Sequence, residues 1–207
     1  GDPLPQLPAS NAEPPDQYAQ TEEYRQENGR LRQLVDLKDT YGIEGVGARV
    51  IGNPAGAWDQ TVTIDKGTDD GVGTGLTVMG TSGVVGQVVA ADARTATVRL
   101  LTDPKSGAAA IVQSSRAQGV VRGSLEGLLY LEDLEADAEV SEGDVVVTSG
   151  LGGSYMRGLV IGTVVKVDAK QGDSSRRAVV SPNESASALE EVLVVFSALE
   201  DDGGDAD

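Results

Sequence analysis

Short runs of β-branched residues alternate with turn residues from about residue 43 to residue 196. The runs are rich in Val, Ile and Thr, and Gly, Pro, Asn or Asp separates them, which is the pattern of short strands joined by tight turns. Gly at the strand ends is typical of small barrels, in which strands curl sharply. Twelve strands are predicted, over residues 46–51, 61–64, 77–79, 83–90, 96–101, 108–113, 118–122, 128–131, 145–148, 160–167, 178–181 and 191–196.

A helix is predicted in front of the strands. Asp16 follows two prolines and can cap it, residues 17–41 contain no proline, and Gly42 offers a stop. At 1.5 Å per residue the helix is roughly 35 Å long. Residues 1–15 carry five prolines and are predicted to be a flexible leader, and the acidic, Gly-rich residues 198–207 are predicted to be a disordered tail.

Four apolar residues on one side of the predicted helix are candidates for self-association: Tyr24, Leu31, Leu34 and Val35. Tyr24 and Leu31 are one heptad apart, and the step from Leu31 to Leu34 is the a-to-d spacing of a coiled coil. The seam is short, and Gly29 costs about 1 kcal/mol relative to Ala inside a helix. The alternative is that Leu31, Leu34 and Leu37 pack onto the β-region, and the sequence leaves both possibilities open.

One strand-turn-strand unit occurs twice in the chain. Gly75 corresponds to Gly143 with an offset of 68 residues, whereas Gly86 corresponds to Gly162 with an offset of 76 residues. The second copy therefore has eight extra residues in its Gly-rich turn, near residues 151–158. Two copies are too few for a solenoid, which needs at least about three repeats, so two similar small barrels or sandwiches are predicted.

Charge and composition narrow the possible functions. The net charge is −17, from 16 basic and 33 acidic residues, which opposes binding to nucleic acid or to an anionic membrane surface and leaves protein or sugar partners. The chain has neither Cys nor His, which excludes disulfides, the usual zinc ligand sets, thiol catalysis and imidazole general-base catalysis. A serine nucleophile with a His base, as in other twin-barrel proteins, is therefore excluded.

The remaining candidates for chemistry are weak. The Gly-rich loop 150–158 lacks the Lys-Ser/Thr ending of a phosphate loop, so a hairpin loop is predicted. The acidic run 132–144 does not match the spacing of a known calcium loop, so a solvated face is predicted. We expect no catalytic residue, no metal site and no cofactor.

Candidate partner-binding residues follow from side-chain chemistry at strand edges and turns: Leu128, Leu129, Tyr130, Tyr155 and Met156. Each of them could equally be buried in a barrel. Trp58 is the only Trp and could anchor a partner or close the end of a barrel.

Ten segments of the chain, taken together and in order, resemble the bacterial rod-shape-determining MreC family. The resemblance extends from residue 27 to about residue 196, and it rests on the order of the segments because each is weak by itself. The segments are residues 27–37, 48–52, 58, 63–67, 70–72, 83–86, 100–104, 119–123, 143–153 and 158–164.

The resemblance implies a mainly β fold with an N-terminal helix, over residues 16–41, that ends a coiled coil. Two small six-stranded β-barrels follow, one of them inserted in the other. We expect a discontinuous first barrel over residues 43–75 and 148–197 and an inserted barrel over residues 76–147. In this interpretation the two copies of the repeated hairpin begin and end the insertion.

The function implied by the resemblance is a non-enzymatic scaffold of the cell-elongation machinery. Such a protein couples MreB filaments and MreD to penicillin-binding proteins and to the glycosyltransferase RodA. It acts on the extracytoplasmic face of the bacterial cytoplasmic membrane, through a single-pass anchor that this sequence does not include, and it forms homodimers or larger assemblies. The scaffold organises peptidoglycan synthases and thereby controls cell shape.

Two other classes of protein remain as alternatives. A periplasmic adaptor of an efflux or secretion system also joins a helix to β-domains, but it is expected to contain a paired helical hairpin and a lipoyl-like module. A twin-barrel hydrolase that uses carboxylates needs two carboxyl groups facing each other about 5 to 9 Å apart in a closed pocket.

Overall fold

The computed structural model describes residues 15–153, 155–168, 176–185 and 188–198. The predicted leader, up to residue 14, and the predicted tail, from residue 199, lie outside the described residues. Within them, helix α1 spans Pro15–Tyr41, as predicted to within two residues. No described helix is both long enough and apolar enough to cross a membrane.

Twelve strands follow in the described part of the chain, and their positions agree closely with the predicted ones. They are β1 (Ile43–Gly52), β2 (Thr61–Ile64), β3 (Thr77–Met79), β4 (Val84–Ala91), β5 (Ala96–Leu100), β6 (Gly107–Val112), β7 (Gln118–Arg122), β8 (Leu129–Glu132), β9 (Val145–Thr148), β10 (Val160–Val167), β11 (Ala178–Pro182) and β12 (Glu191–Ala198). Short 3-10 turns lie at Thr68–Asp70 and Leu151–Gly153.

The strands close into two antiparallel six-stranded barrels. The first barrel has the cyclic order β1-β12-β3-β4-β5-β2, and the second barrel has the order β10-β11-β8-β7-β6-β9. The predicted fold class, mainly β with an N-terminal helix and two six-stranded barrels, is confirmed. The second barrel is continuous in sequence, from β6 to β11, and is inserted between β5 and β12 of the first.

The predicted limits of the two barrels are wrong. Strands β3, β4 and β5, which were assigned to the insertion at residues 76–147, pair within the first barrel, and β10 and β11 pair within the second. The repeated hairpin therefore does not begin and end the insertion. One copy, β3–β4, lies in the first barrel, and the other copy, β9–β10, occupies the same place in the second.

The two barrels repeat the same strand order with one exchange. Starting from the repeated hairpin, the first barrel reads β3-β4-β5-β2-β1-β12 and the second reads β9-β10-β11-β8-β7-β6. Strands β1 to β5 thus correspond to β7 to β11 in sequence order. The chain thus consists of two successive sets of six strands, β1–β6 and β7–β12, and the last strand of each set belongs to the barrel of the other set. Strand β6 completes the second barrel, and β12 completes the first. The first barrel therefore closes through a strand, β12, that lies after the whole second barrel in the sequence.

Glycines at equivalent positions allow the strands to approach closely. A Cβ atom on Gly86 would collide with the carbonyl oxygen of Arg99 on the edge of β5, and one on Gly162 would collide with that of Ser181 on β11. The repeated hairpin thus carries the same packing requirement in both barrels.

Two buried clusters form the core. One fills the first barrel and includes Ile64, Val78, Val98 and Val194. The other fills the second barrel and continues into the contact between the barrels, where it includes Met79 and Leu159. This second cluster also includes Leu34 on α1, Ile43 on β1 and Leu193 on β12, so it joins the second barrel, the outer side of the first barrel and α1.

Candidate partner-binding surfaces

Helix α1 packs its C-terminal half against the first barrel through Leu34. The side chain of Leu34 is 3% exposed and belongs to the buried cluster that contains Ile43 on β1 and Leu193 on β12. Tyr24, Leu31 and Val35 are 65%, 40% and 54% exposed. The predicted self-association set is therefore divided, because Leu34 docks the helix and the other three residues face away from the barrel. The side chain of Leu37 lies outside the described residues.

Ion pairs fix the rotation of α1 on the barrel. Arg30 pairs with the buried carboxylate of Glu191 on β12 and, at 2.6 Å, with Glu190. The hydrogen bond to Glu191 raises the pKa of the Arg30 guanidinium. Lys38 Nζ donates to the carbonyl oxygen of Gly45 at 3.0 Å. With Leu34 and Arg30 both engaged, the helix presents one defined face to solvent.

The exposed face of α1 has a different heptad register from the predicted one. Tyr24, Asn28, Leu31 and Val35 are separated by four, three and four residues, which is the d-a-d-a spacing of a coiled coil. Asn28 is exposed and occupies an a position, where an Asn typically specifies a two-stranded parallel pair at some cost in stability. The sequence prediction missed Asn28 because Leu34, by hydrophobicity alone, was the stronger candidate.

The candidates around β8 differ in exposure. Leu128 is 42% exposed and precedes the strand, whereas Leu129 is fully buried inside the second barrel. Leu129 is therefore not available to a partner, because alternate residues of a barrel strand point inward. The hydroxyl of Tyr130 donates to Glu126 at 2.9 Å, and the guanidinium of Arg177 lies 4.3 Å from the centre of its ring. Tyr130 is half-buried and already engaged.

Tyr155 and Met156 join the two barrels and do not form an exposed surface. Tyr155 is buried, and this burial raises the pKa of its phenol. The backbone N–H of Met156 donates to Thr77 Oγ1 on β3 at 3.0 Å, while the Met156 carbonyl accepts from Thr148 on β9. Tyr155 is therefore not available to a partner, whereas Met156 is half-buried and stays a candidate. The expanded turn fastens the second barrel to the first.

The surface that best fits a protein partner is a groove between the barrels, which we call the inter-barrel groove. Its volume is about 650 Å³. The β1–β2 loop forms one side of it and the β7–β8 turn forms the other, with Thr102 and Pro182 between them. Three exposed apolar residues belong to these two segments: Trp58 (74% exposed), Leu125 (44%) and Leu128 (42%).

A buried carboxylate holds the β1–β2 loop in place. Asp103, which is 1% exposed, accepts hydrogen bonds from the backbone N–H of Gln60 at 3.0 Å and of Lys105 at 2.7 Å. The side-chain amide of Gln60 then donates to the carbonyl oxygen of Gly56 at 2.7 Å, across the turn that carries Trp58. The exposure of Trp58 excludes the alternative that it closes the end of a barrel.

The β7–β8 turn is held just as locally. Ser124 Oγ donates to the carbonyl oxygen of Leu128 at 2.9 Å and accepts from the Leu128 N–H at 3.2 Å. Gly127 has a φ of 78°, which an L-residue rarely adopts, so it allows the turn to close. This small loop displays Leu125 and Leu128 on its surface. The sequence prediction missed Leu125, and its position in a Ser-x-x-Gly turn was the signal that could have identified it.

The acidic run and the Gly-rich loop show no catalytic arrangement in the described residues. No group of three or more described Asp or Glu residues could hold a metal ion. Glu135, Asp137 and Glu139 are exposed and line an open cleft. The facing carboxyl pair in a closed pocket that a carboxylate hydrolase requires is not formed by these residues.

Comparison with known proteins identifies the family. The model of the rod shape-determining protein MreC barrel core matches residues 50–196, which is most of both barrels. The chain belongs to the MreC family. The family resemblance inferred from the ordered segments is thus confirmed, and the adaptor alternative loses its basis, since the described residues contain one α-helix and no helical hairpin.

Individual MreC proteins show the same relationship. The cell shape-determining protein MreC of Listeria monocytogenes is 36% identical over 182 residues, which are 85% of this chain and 62% of that protein. The chain thus spans less than two thirds of the length of this MreC relative. A solved MreC structure has a TM-score of 0.76 at 31% identity and is matched over 84% of this chain and 99% of its own.

A more distant MreC structure shows that the fold is kept at low identity. It comes from a complex between a penicillin-binding protein, PBP2, and MreC of Helicobacter pylori. Its TM-score is 0.57 at 14% identity, over 75% of this chain and 99% of the matched chain. This likeness concerns the fold and does not by itself transfer a binding surface.

Proposed function

We propose that this chain is a non-enzymatic, extracytoplasmic scaffold of the bacterial cell-elongation machinery. It organises peptidoglycan synthases, among them a penicillin-binding protein, and links them to membrane and cytoskeletal components. RodA, MreD and the MreB machinery belong to the same proposal, as does a position on the outer face of the cytoplasmic membrane. The observation that carries the proposal is the inter-barrel groove in a chain of the MreC family, with exposed Leu125 in its lining and exposed Trp58 on the loop that forms one of its sides.

The inter-barrel groove has the properties of a protein-binding surface. A partner can bury the indole of Trp58 together with the side chains of Leu125 and Leu128, and a central aromatic residue with apolar neighbours is the usual composition of a binding hot spot. Asp103 and Ser124 hold the two segments before binding, so little conformational entropy is lost when the partner docks.

The charge of the inter-barrel groove indicates the kind of segment it accepts. Glu126 is the charged residue among those that line the groove, and the other lining residues are neutral. An apolar segment that carries a basic residue is therefore the best match. The choice of a penicillin-binding protein is motivated by the Helicobacter pylori complex, in which an MreC of the same fold is bound to PBP2.

Self-association through α1 is the second part of the scaffold proposal. The exposed face of Tyr24, Asn28, Leu31 and Val35 remains free after Leu34 and Arg30 have fixed the helix to the barrel. Pairing of two such faces places two barrel units side by side. The seam spans about two heptads, so we expect this segment by itself to associate weakly.

The test is binding between the chain and the transpeptidase partners of its own bacterium, measured by pull-down and then by titration. Replacement of Trp58 and Leu125 by Ala should weaken binding at least about 30-fold, because a hot-spot truncation costs about 2 kcal/mol or more. Val165→Ala is the matched control, since Val165 is 50% exposed on the second barrel and does not line the inter-barrel groove.

Both variants should keep the circular dichroism and the thermal midpoint of the wild type, since they change exposed side chains. Equal binding by the wild type and by the Trp58 and Leu125 variant would exclude this groove as the binding surface. Failure of the wild type to enrich any transpeptidase over an unrelated barrel protein would argue against the function itself.

A further inference from the structure

A second cleft lies on the outer wall of the second barrel and shares no lining residue with the inter-barrel groove. Its volume is about 500 Å³. Ile111 on β6 and Val147 on β9 are register partners and form its apolar floor. The β6–β7 turn carries Arg116 on one side, and the loop after β9 carries Leu151 and Arg157 on the other. We call it the Arg116–Arg157 cleft.

The two arginines are the charged residues that line this cleft, and the polar lining is otherwise neutral, from Gln113, Gln118, Ser149 and Thr148. Neither guanidinium forms an ion pair or a hydrogen bond with a described residue. The loop with Glu135, Asp137 and Glu139 borders the other side of Arg116, but none of these carboxylates pairs with it.

The backbone places Arg116 at a conformational cost. Arg116 has a φ of 61°, a left-handed conformation that Gly or Asn adopts far more easily than Arg. Its N–H donates to the carbonyl oxygen of Val112 at 2.9 Å, and the N–H of Val112 donates to Ala117 at 2.8 Å, so the turn is firmly closed. Strained positions of this kind are concentrated at binding sites, because the strain is compensated by a functional gain.

The opposite wall contains a loop suited to anions. Gly150 and Gly152 both have a φ of 75°, and Leu151 between them is right-handed. Alternation of left-handed and right-handed residues directs successive backbone N–H groups to one side, and such concave segments bind anions. The N–H of Leu151 makes only a long bond of 3.3 Å to Ser149 Oγ.

We propose that the Arg116–Arg157 cleft binds a short peptide that carries a free carboxylate. The guanidinium groups pair with the carboxylate, for which Arg has the matching planar geometry. The apolar floor of Ile111 and Val147 accepts a small aliphatic side chain, and the glutamine amides bond to the peptide backbone. The volume lies within the range of about 300–1,000 Å³ that is common for small-ligand sites.

The experiment is a titration of the ¹⁵N-labelled chain with N-acetyl-trialanine that has a free C-terminal carboxylate, followed by NMR. We expect shift changes at the side-chain amides of Gln113 and Gln118 and at the backbone of Gly150 and Gly158. The C-terminal amide of the same peptide should not bind. Equal shifts with acid and amide would overturn the proposal, and so would inorganic phosphate binding as tightly as the peptide.

Variants separate loss of the site from loss of the fold. Arg116→Gln with Arg157→Gln should weaken binding at least tenfold, whereas Arg32→Gln with Arg94→Gln, which changes the net charge equally at exposed positions, should leave it unchanged. Arg116→Gly relieves the left-handed strain, so it should keep the thermal midpoint and still lose affinity. Retained affinity in the Arg116→Gly or the double variant would contradict the proposal.

A second peptide distinguishes the source of the carboxylate. The titration is repeated with a D-alanine terminus, as in peptidoglycan stem peptides, in place of the L-alanine terminus of a protein. Tighter binding of the D-form assigns the cleft to the cell wall, and tighter binding of the L-form assigns it to a protein terminus. Either result supports the cleft as a peptide-carboxylate site and leaves the proposal for the inter-barrel groove independent.

Discussion

Replacement of Leu34 by Ala tests whether α1 is held to the first barrel in one rotation. Leu34 is 3% exposed at the contact between α1 and the strands β1 and β12, whereas Leu31, three residues earlier in the same helix, is 40% exposed. The same substitution at the two positions therefore removes the same atoms from two different environments. Leu31→Ala is the matched control for any change in helix propensity.

The expected magnitude follows from burial. The change from Leu to Ala removes three carbon atoms, and at about 0.8 kcal/mol for each buried methylene the loss of transfer free energy at Leu34 is about 2.4 kcal/mol. A cavity that the neighbouring side chains do not fill raises the cost further, to between about 2.5 and 4 kcal/mol. At Leu31 most of the removed surface is in water, so we expect a cost below about 1 kcal/mol.

Hydrogen exchange measured by mass spectrometry is the suitable assay, because undocking of one helix is a local opening that leaves the barrels folded. A loss of about 2.4 kcal/mol increases the open population about 60-fold, so the amides of the C-terminal half of α1 should exchange correspondingly faster in Leu34→Ala. Amides of the second barrel should be unaffected. Equal acceleration in Leu31→Ala and Leu34→Ala would refute the assigned rotation of the helix.

Three further predictions concern packing, assembly and pH. Gly86→Ala should lower the free energy of unfolding, measured in urea, by about 3 kcal/mol, because the added Cβ would collide with the neighbouring strand. Gly47→Ala is the control, since Gly47 on β1 faces open space, and it should be neutral or stabilise by up to about 1 kcal/mol. Similar values for the two variants would exclude steric packing as the cause. Leu31→Asp with Val35→Asp should abolish concentration-dependent dimers in light scattering without faster exchange of the docked helix, and a wild type that stays monomeric at high concentration would exclude the seam. Burial raises the pKa of Tyr155, so the folded protein keeps its phenol neutral at a pH where the unfolded phenol, with a pKa of about 10, ionises. The contribution of Tyr155 to stability should thus be constant below about pH 10 and be lost above it. Tyr155→Phe should therefore reduce the fall in urea midpoints measured from about pH 8 to 11, and an equal fall in both proteins would assign it to other groups.

Local structure was predictable wherever it depends on neighbouring residues in the sequence. The twelve strands and α1 were located to within a few residues, because β-branched runs and turn residues act over distances of two to six positions. The repeated hairpin was also recognisable, since Gly86 and Gly162 meet the same steric requirement. Candidate partner residues were less predictable: Leu129 and Tyr155 have the same chemistry as exposed anchors, but they are buried.

The sequence by itself determined the family, the mainly β fold, the twelve strands and the lack of Cys and His chemistry. Only the tertiary structure decided which strands close which barrel. Strand β6 follows β1–β5 in the sequence but pairs with β7 and β9, and β12 follows β7–β11 but pairs with β1 and β3. Strands far apart in sequence pair because the closed barrel buries the most apolar surface. The residues of any one strand do not predict which distant strand will be its partner. The same reason applies to the surfaces. The β1–β2 loop faces the β7–β8 turn across the inter-barrel groove, and Arg116 lies opposite Arg157 in the second cleft, only after the barrels have closed.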